Sequence, residues 1–263
     1  MSVKIANRNI SYFFYLFNCT KTQGVYMCDN YLRIKRNLES IEEQIETACA
    51  KSGRSRDELK LLVVSKYRST DEISAVIKCG YHELAENRPE VILERKEELK
   101  FSEENLKWHI IGTVQRRKVK SIISEVELIH SVDSLRLAEE IARQVKIKNI
   151  SEEKKILLQV NCSREENKHG FEPERLYDEY HKIREIKGLK ILGLMTMAEN
   201  TDDERIIRST FSECRDLFNR IKNELNGEEK ASFKELSMGM SSDFIEAIEE
   251  GASIVRIGSL VFR

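Results

Sequence analysis

Three stretches of the 263-residue chain carry residue types that could do chemistry together. The first is Leu-Leu-Val-Val-Ser-Lys66, where a lysine ends an apolar run. An amine held at the edge of a low-dielectric interior is shifted toward its neutral form, the nucleophile for a carbonyl. The ordinary alternative is a lysine that reaches out to solvent. The second stretch is Ser237-Met-Gly239-Met240-Ser241-Ser-Asp243, and the third is Arg256-Ile-Gly258-Ser259. Small residues ahead of a helix leave backbone N–H groups and the positive end of the helix dipole free for an anion such as phosphate. A nucleophilic lysine, an anion cradle and space for a flat ring between them describe pyridoxal 5′-phosphate. Arg256 precedes Gly258 by two residues on one strand and should face the same interior. An arginine at the pyridine nitrogen cannot surrender its proton, so the ring nitrogen stays unprotonated and the ring is a weak electron sink.

These groups need a scaffold that brings the two ends of the chain together. Short apolar runs recur at Leu61–Ser65, Tyr81–Ala85, Trp108–Gly112, Leu128–Val132, Lys155–Asn161, Lys190–Met195, Lys234–Leu236 and Ser253–Ile257. Between them lie amphipathic stretches at Thr70–Cys79, Arg88–Leu99, Gln115–Ser124, Ser134–Val145, Pro173–Ile186, Asp202–Leu225 and Ser242–Glu250. Eight apolar runs alternating with seven helices predict a parallel sheet covered on both faces, closed as a single (β/α)8 TIM barrel. An open doubly wound sheet is the structural alternative. Ile34, Leu38, Ile41, Ile45 and Ala48 form one apolar stripe on an added N-terminal helix, Asn30–Ala50, ended by Ser52-Gly53. Little chain follows the eighth strand, so this helix is expected to fill the eighth helical place. The domain division is an extension at 1–28, expected to be poorly ordered, followed by a barrel at 29–263. Met27 is a candidate start. The aromatic run Ile10–Phe17 is too short for a signal peptide and has no small-residue cleavage site after it.

In a barrel of this kind the strand ends form the site. Glu86 and Asn87 follow strand two, Ser131 and Asp133 end strand four, and Asn161 follows strand five. Loop capping is the commonest use of such residues. His109 lies within strand three and reads as a core histidine. The composition narrows the function classes. Lys plus Arg total 44 against 45 Asp plus Glu, a formal net charge of −1, which argues against a non-specific nucleic-acid binder. The basic cluster Arg116-Arg117-Lys118-Val-Lys120 reads as a solvated helix face. The six cysteines include no C-x-x-C pair, which predicts neither a zinc site nor a disulfide framework and fits a reducing cytoplasm. No 18-residue apolar run predicts a membrane span.

Eight blocks in one order carry a family resemblance: Leu-Leu-Val-Val-Ser-Lys66, Leu-Ala-Glu86-Asn87, Trp108-His109-Ile-Ile-Gly112, His130-Ser-Val-Asp133, Gln159-Val-Asn161, Gly193-Leu-Met195-Thr-Met197, Leu-Ser237-Met-Gly-Met240-Ser241-Ser-Asp243 and Val-Arg256-Ile-Gly258. Over roughly Asn30 to Phe262 the chain resembles the pyridoxal phosphate homeostasis protein family, itself similar to the barrel domain of alanine racemase. The resemblance implies pyridoxal 5′-phosphate (PLP) held as an aldimine on Lys66, phosphate contacts from Ser241, Gly258 and Ser259, and Arg256 near the ring nitrogen. Asn87 and Met240 are counted with them as cofactor-binding. It implies a role in intracellular PLP homeostasis without efficient catalysis, so no catalytic residue and no metal ligand are assigned. It also implies a cytoplasmic monomer whose partners are PLP and PLP-dependent apo-enzymes. The alternative is a racemase-like PLP enzyme acting on amino acids. Racemisation needs an acid and a base on opposite faces of the substrate, and the sequence offers no evident second base. Three features depart from the family pattern: the stretch before Met27, His169 in place of a small residue and expected to be exposed, and the early stop at Arg263.

Overall fold

A computed structural model describes residues 23–99 and 105–263. The aromatic run Ile10–Phe17 and the expected disorder of residues 1–22 lie outside the described residues. The strands are β1 (Lys60–Val64), β2 (Glu83–Glu86), β3 (Lys107–Ile110), β4 (Leu128–Val132), β5 (Lys154–Gln159), β6 (Leu189–Met195), β7 (Glu235–Ser237) and β8 (Ile254–Ile257). All neighbouring pairs are parallel, and β1 pairs with β8 through Leu62↔Arg256 and Val63↔Ile257, so the sheet closes. The expected (β/α)8 barrel is the observed fold, and the open sheet is excluded. The two strands that carry the lysine and the arginine are direct neighbours, although the residues stand 190 apart in sequence.

The helices are α1 (Gln23–Lys51), α2 (Thr70–Lys78), α3 (Pro89–Glu98), α4 (Arg116–Ile122), α5 (Leu135–Ile147), α6 (Pro173–Arg184), α7 (Glu204–Glu224), α8 (Gly227–Ser232) and α9 (Phe244–Glu249). Local chemistry explains several starts. Ser69 caps α2 reciprocally with Glu72, and Pro89 and Pro173 open α3 and α6 with their φ already set. On α5, Leu137, Ala138, Ile141 and Val145 are buried at helical spacing. Helix α8 was not foreseen: it is six residues long, buries none of them, and leaves no periodicity to read.

Helix α1 packs against α2 and α9 and buries Ile34, Leu38, Ile41, Ile45 and Ala48, so it fills the eighth helical place as expected. It begins at Gln23, earlier than its apolar stripe, and is continuous through Met27. It also ties down the end of the chain. Arg33 Nη1 donates to the Phe262 and Arg263 carbonyls at 2.5 and 2.6 Å, and Asn37 Nδ2 donates to Val261 and Arg263 at 3.0 and 3.1 Å.

Strand residues alternate between two faces. Outward ones, such as Leu61, Val63, Ile129, Ile156, Leu194 and Val255, join the helices in one large apolar core. Inward ones form a second, smaller cluster of Leu62, Val64, Ala85, Leu128, Leu157, Met195 and Ile254 that fills the lumen. Buried with that second cluster's strands are His109, His130, Ser237 and Arg256.

Candidate cofactor site

The strand ends place the sequence-predicted residues along one rim. Lys66 follows β1 after one intervening residue and sits in a turn closed by the Arg68 N–H donating to the Ser65 carbonyl at 3.1 Å. Tyr67 completes that turn at φ +64°, a conformation uncommon for a residue with a side chain, and is 86% exposed. Lys66 is itself exposed. The low-dielectric surrounding expected for its amine is therefore not what the structure shows: Lys66 lies past the strand end, in a turn open to solvent. Below it, Ser65 Oγ donates to Glu86 Oε1 at 2.7 Å. Burial pushes the Glu86 carboxyl up from its ordinary range against that hydrogen bond. Asn87, half-buried, comes next along the same rim.

The loops after β7 and β8 meet. The Gly258 N–H donates to Ser241 Oγ at 3.3 Å, and the Arg256 N–H donates to the Gly239 carbonyl at 2.9 Å. Gly239 takes φ +89°, and a Cβ there would lie 2.5 Å from the Ala247 Cβ. A Cβ at Gly258 would lie 3.0 Å from the Val64 carbonyl oxygen. A side chain at Gly258 would therefore press on the strand end that leads to Lys66. Helix α9 starts at Phe244, later than the sequence pattern predicts, and has only six residues. Its dipole is correspondingly weak, and the anion donors must come from the loops themselves. Met240 N–H is already engaged by Asp243 Oδ1 at 2.5 Å, which shapes the β7 loop. The Met240 side chain is 36% exposed and Ser259 is exposed, both on the open side of the rim.

Arg256 lies beneath these loops, only 3% exposed. Its Nη1 donates to Ser237 Oγ at 2.7 Å and its Nη2 to the Thr196 carbonyl at 2.9 Å. Burial brings its guanidinium down to about 10, opposed by the charge of Asp243, so it remains a cation at neutral pH. The inward orientation deduced from the two-residue spacing to Gly258 is correct. Two of its five N–H groups are committed to protein acceptors.

These features fit a phosphorylated aldehyde with an aromatic nitrogen. Ser241 Oγ meets the Gly258 N–H, a Cβ at Gly258 would press on the Val64 carbonyl, a buried cation lies two residues before Gly258, and a solvent-reachable primary amine follows the neighbouring strand. His169 is exposed as expected, with Nδ1 3.4 Å from Asp133 Oδ2. His109 is a core residue as expected, 1% exposed, yet it has partners that linear spacing did not disclose: Glu83 at 2.7 Å and His130 at 3.0 Å. The basic cluster on α4 is solvent-facing, with Lys118 paired to Glu90 at 2.6 Å. Among the described residues, Cys49, Cys79, Cys162 and Cys214 are free thiols, and no helix is long and apolar enough to cross a membrane.

Comparison with known proteins places this geometry. The family "Alanine racemase, N-terminal domain" matches residues 37–263. The pyridoxal phosphate homeostasis protein of Aquifex aeolicus is 40% identical over 225 residues, covering 86% of this chain and 95% of that one. Its counterpart in Helicobacter pylori is 36% identical over 235 residues, covering 88% and 99%. Among solved structures, PipY of Synechococcus elongatus with PLP bound is similar at a TM-score of 0.73 and 26% identity, covering 88% of this chain and all 100% of that one.

Proposed function

Because the chain belongs to the pyridoxal phosphate homeostasis protein family, on the alanine racemase N-terminal barrel, we propose that it binds PLP and serves the intracellular balance of that cofactor. The observation that carries this reading is the meeting of three groups at one barrel seam: Lys66 after β1, the Ser241–Gly258 contact between the β7 and β8 loops, and buried Arg256 on β8. In this reading Lys66 condenses with the cofactor aldehyde as a Schiff base. Ser241, Gly258 and Ser259 take the phosphate. Arg256 takes the ring nitrogen, and Asn87 and Met240 line the two sides.

The same arrangement argues for holding rather than turnover. A cationic arginine at the ring nitrogen keeps that nitrogen unprotonated, which removes most of the ring's capacity to accept electrons. Glu86 is hydrogen-bonded and buried, and Lys66 is on the exposed side of the rim. Efficient racemisation needs two positioned acid–base groups on opposite faces. An exposed amine suits exchange of cofactor with a partner better than it suits a closed reaction chamber. Tyr67, next to it in the chain, and Met240, on the β7 loop, are exposed and give an apo-enzyme something to meet. We extend the proposal to a monomer in the cytoplasm that passes PLP to apo-enzymes, and to a domain division into an extension at 1–28 and a barrel at 29–263.

The test is reduction of the PLP-saturated protein with borohydride, followed by peptide mass analysis. The adduct should sit on Lys66, and Lys66→Ala should lose both the adduct and the visible absorption band. An adduct confined to another lysine would reject the assignment. Incubation of the loaded protein with L-alanine, read as D-alanine formed, tests the holding role: turnover well above that of free PLP would favour the racemase-like alternative.

A further inference from the structure

A line of hydrogen bonds crosses the lumen from the rim to the floor. Arg256 Nη1 meets Ser237 Oγ at 2.7 Å, Ser237 Oγ meets His130 Nδ1 at 2.9 Å, His130 Nε2 meets His109 Nδ1 at 3.0 Å, and His109 Nε2 meets Glu83 Oε2 at 2.7 Å. Five strands contribute: β8, β7, β4, β3 and β2, with Glu83 at the start of β2. At the floor, Glu83 is flanked by Lys107 at 3.3 Å and Lys60 at 3.6 Å.

The end groups fix the direction of every proton in this line. A guanidinium can only donate, and a carboxylate can only accept. Burial disfavours charge on both imidazoles, and the cationic Arg256 beyond Ser237 adds to that effect at His130. Each neutral ring then offers one donor and one acceptor. One arrangement satisfies all four contacts. Arg256 donates to Ser237, Ser237 O–H donates to His130 Nδ1, His130 Nε2–H donates to His109 Nδ1, and His109 Nε2–H donates to Glu83. Both histidines are thereby held in the Nε2–H tautomer.

Apolar packing could have filled the same space, as it does around Leu62, Leu128, Leu157 and Ile254. A buried polar line is not needed for stability. Its upper end is the side chain assigned to the cofactor ring, which gives the line a use. We propose that Glu83, His109, His130 and Ser237 are positioning residues that orient the Arg256 guanidinium toward the ring nitrogen of the bound cofactor. This rests on the PLP reading given above. Every bond in the line points one way, so the negative charge at the floor is felt at the guanidinium through successive polarised donors. Rotation of the guanidinium would break its bond to Ser237 and leave that hydroxyl without its donor.

Two variants and one cofactor-free measurement test this in the full-length protein. In unloaded wild type, nitrogen-15 spectra of the histidine rings at pH 7 should show His109 and His130 as neutral Nε2–H tautomers. An imidazolium, or an Nδ1–H tautomer at His130, overturns the line. Ser237→Ala removes the link nearest Arg256 at small cost in volume. It should keep the Lys66 adduct, shift the His130 resonances, change the visible band and speed PLP release about tenfold, the scale of one lost hydrogen bond to a charged group. Glu83→Gln, at the far end, keeps an acceptor for His109 but removes the charge. It should move the same band in the same direction and speed release about twofold. Should Ser237→Ala fail to fold, Glu83→Gln decides alone. A folded Glu83→Gln protein with wild-type band and release rate would overturn the proposal. Lack of any Lys66 adduct in the wild type, with the tautomers as expected, would instead overturn the PLP reading.

Discussion

Outside the strand ring, Val63, Ile129, Ile156 and Val255 join helix residues such as Ile73, Ile141 and Leu176 in one large apolar core. Inside the ring, Leu62, Leu128 and Ile254 share their space with His109, His130, Ser237 and Arg256. The two regions are one strand thick apart and obey different rules. The outer layer gains chiefly from burial of apolar area. The lumen admits charge and offsets it with a line of hydrogen bonds from Arg256 through Ser237, His130 and His109 to Glu83. The outer layer accounts for why the barrel folds, and it leaves the lumen free to be shaped for a ligand.

Substitutions that separate the two regions would test this contrast. Ile141→Ala, at a fully buried position of α5, should cost about 2–5 kcal/mol of unfolding free energy, read by urea denaturation, with the Lys66 adduct unchanged once folded. Acid acts next, and on the lumen. His109 and His130 are held below their ordinary value, so the unfolded chain binds more protons as pH falls beneath about 6.5, and stability should decline there. Each histidine contributes at most about 1.4 kcal/mol per pH unit. Burial raises the Glu83 carboxyl, but the His109 hydrogen bond with Lys60 and Lys107 outweighs it and brings it to about 2, so a further loss should follow between roughly pH 4.5 and 2. Denaturation midpoints measured across pH check both steps, and a His130→Phe protein should lose part of the first. Arg256→Met leaves Ser237 Oγ and the Thr196 carbonyl without their buried donor and should cost about 1–3 kcal/mol, while PLP affinity falls. A loss well beyond that would mean that the lumen is structural after all. The smallest effect is expected for Lys66→Ala: exposed on its turn, it should alter stability by about 0.5 kcal/mol or less while removing the adduct.

Much of this was legible in the linear order of residues. Short runs apolar on both faces, such as Leu61–Val64 and Ile156–Leu158, read as strands covered on two sides, and eight strand runs in alternation with helices leave few ways to close. Gly258 and Arg256 could be placed because a period of two sets both on one face. The exposure of Lys66 was not legible, since it depends on a turn in which Tyr67 adopts φ +64°. Nor was the line through the lumen. His130 and Ser237 stand 107 residues apart, and only closure of the barrel sets them across from each other. Glu83 sits at the wrong end of its strand for a search confined to carboxyl-terminal ends, and its pairing with His109 appears only when β2 and β3 are in register at Ala85↔His109.

The fastening of Val261, Phe262 and Arg263 by Arg33 and Asn37 has a mechanical meaning. A staple of this kind makes the final strand unable to peel away by itself: to fray it, α1 must let go of four carbonyl contacts as well. Strain applied at either extremity is thus shared with the opposite one, and the seam bearing Lys66 and Arg256 opens only when the whole hoop does.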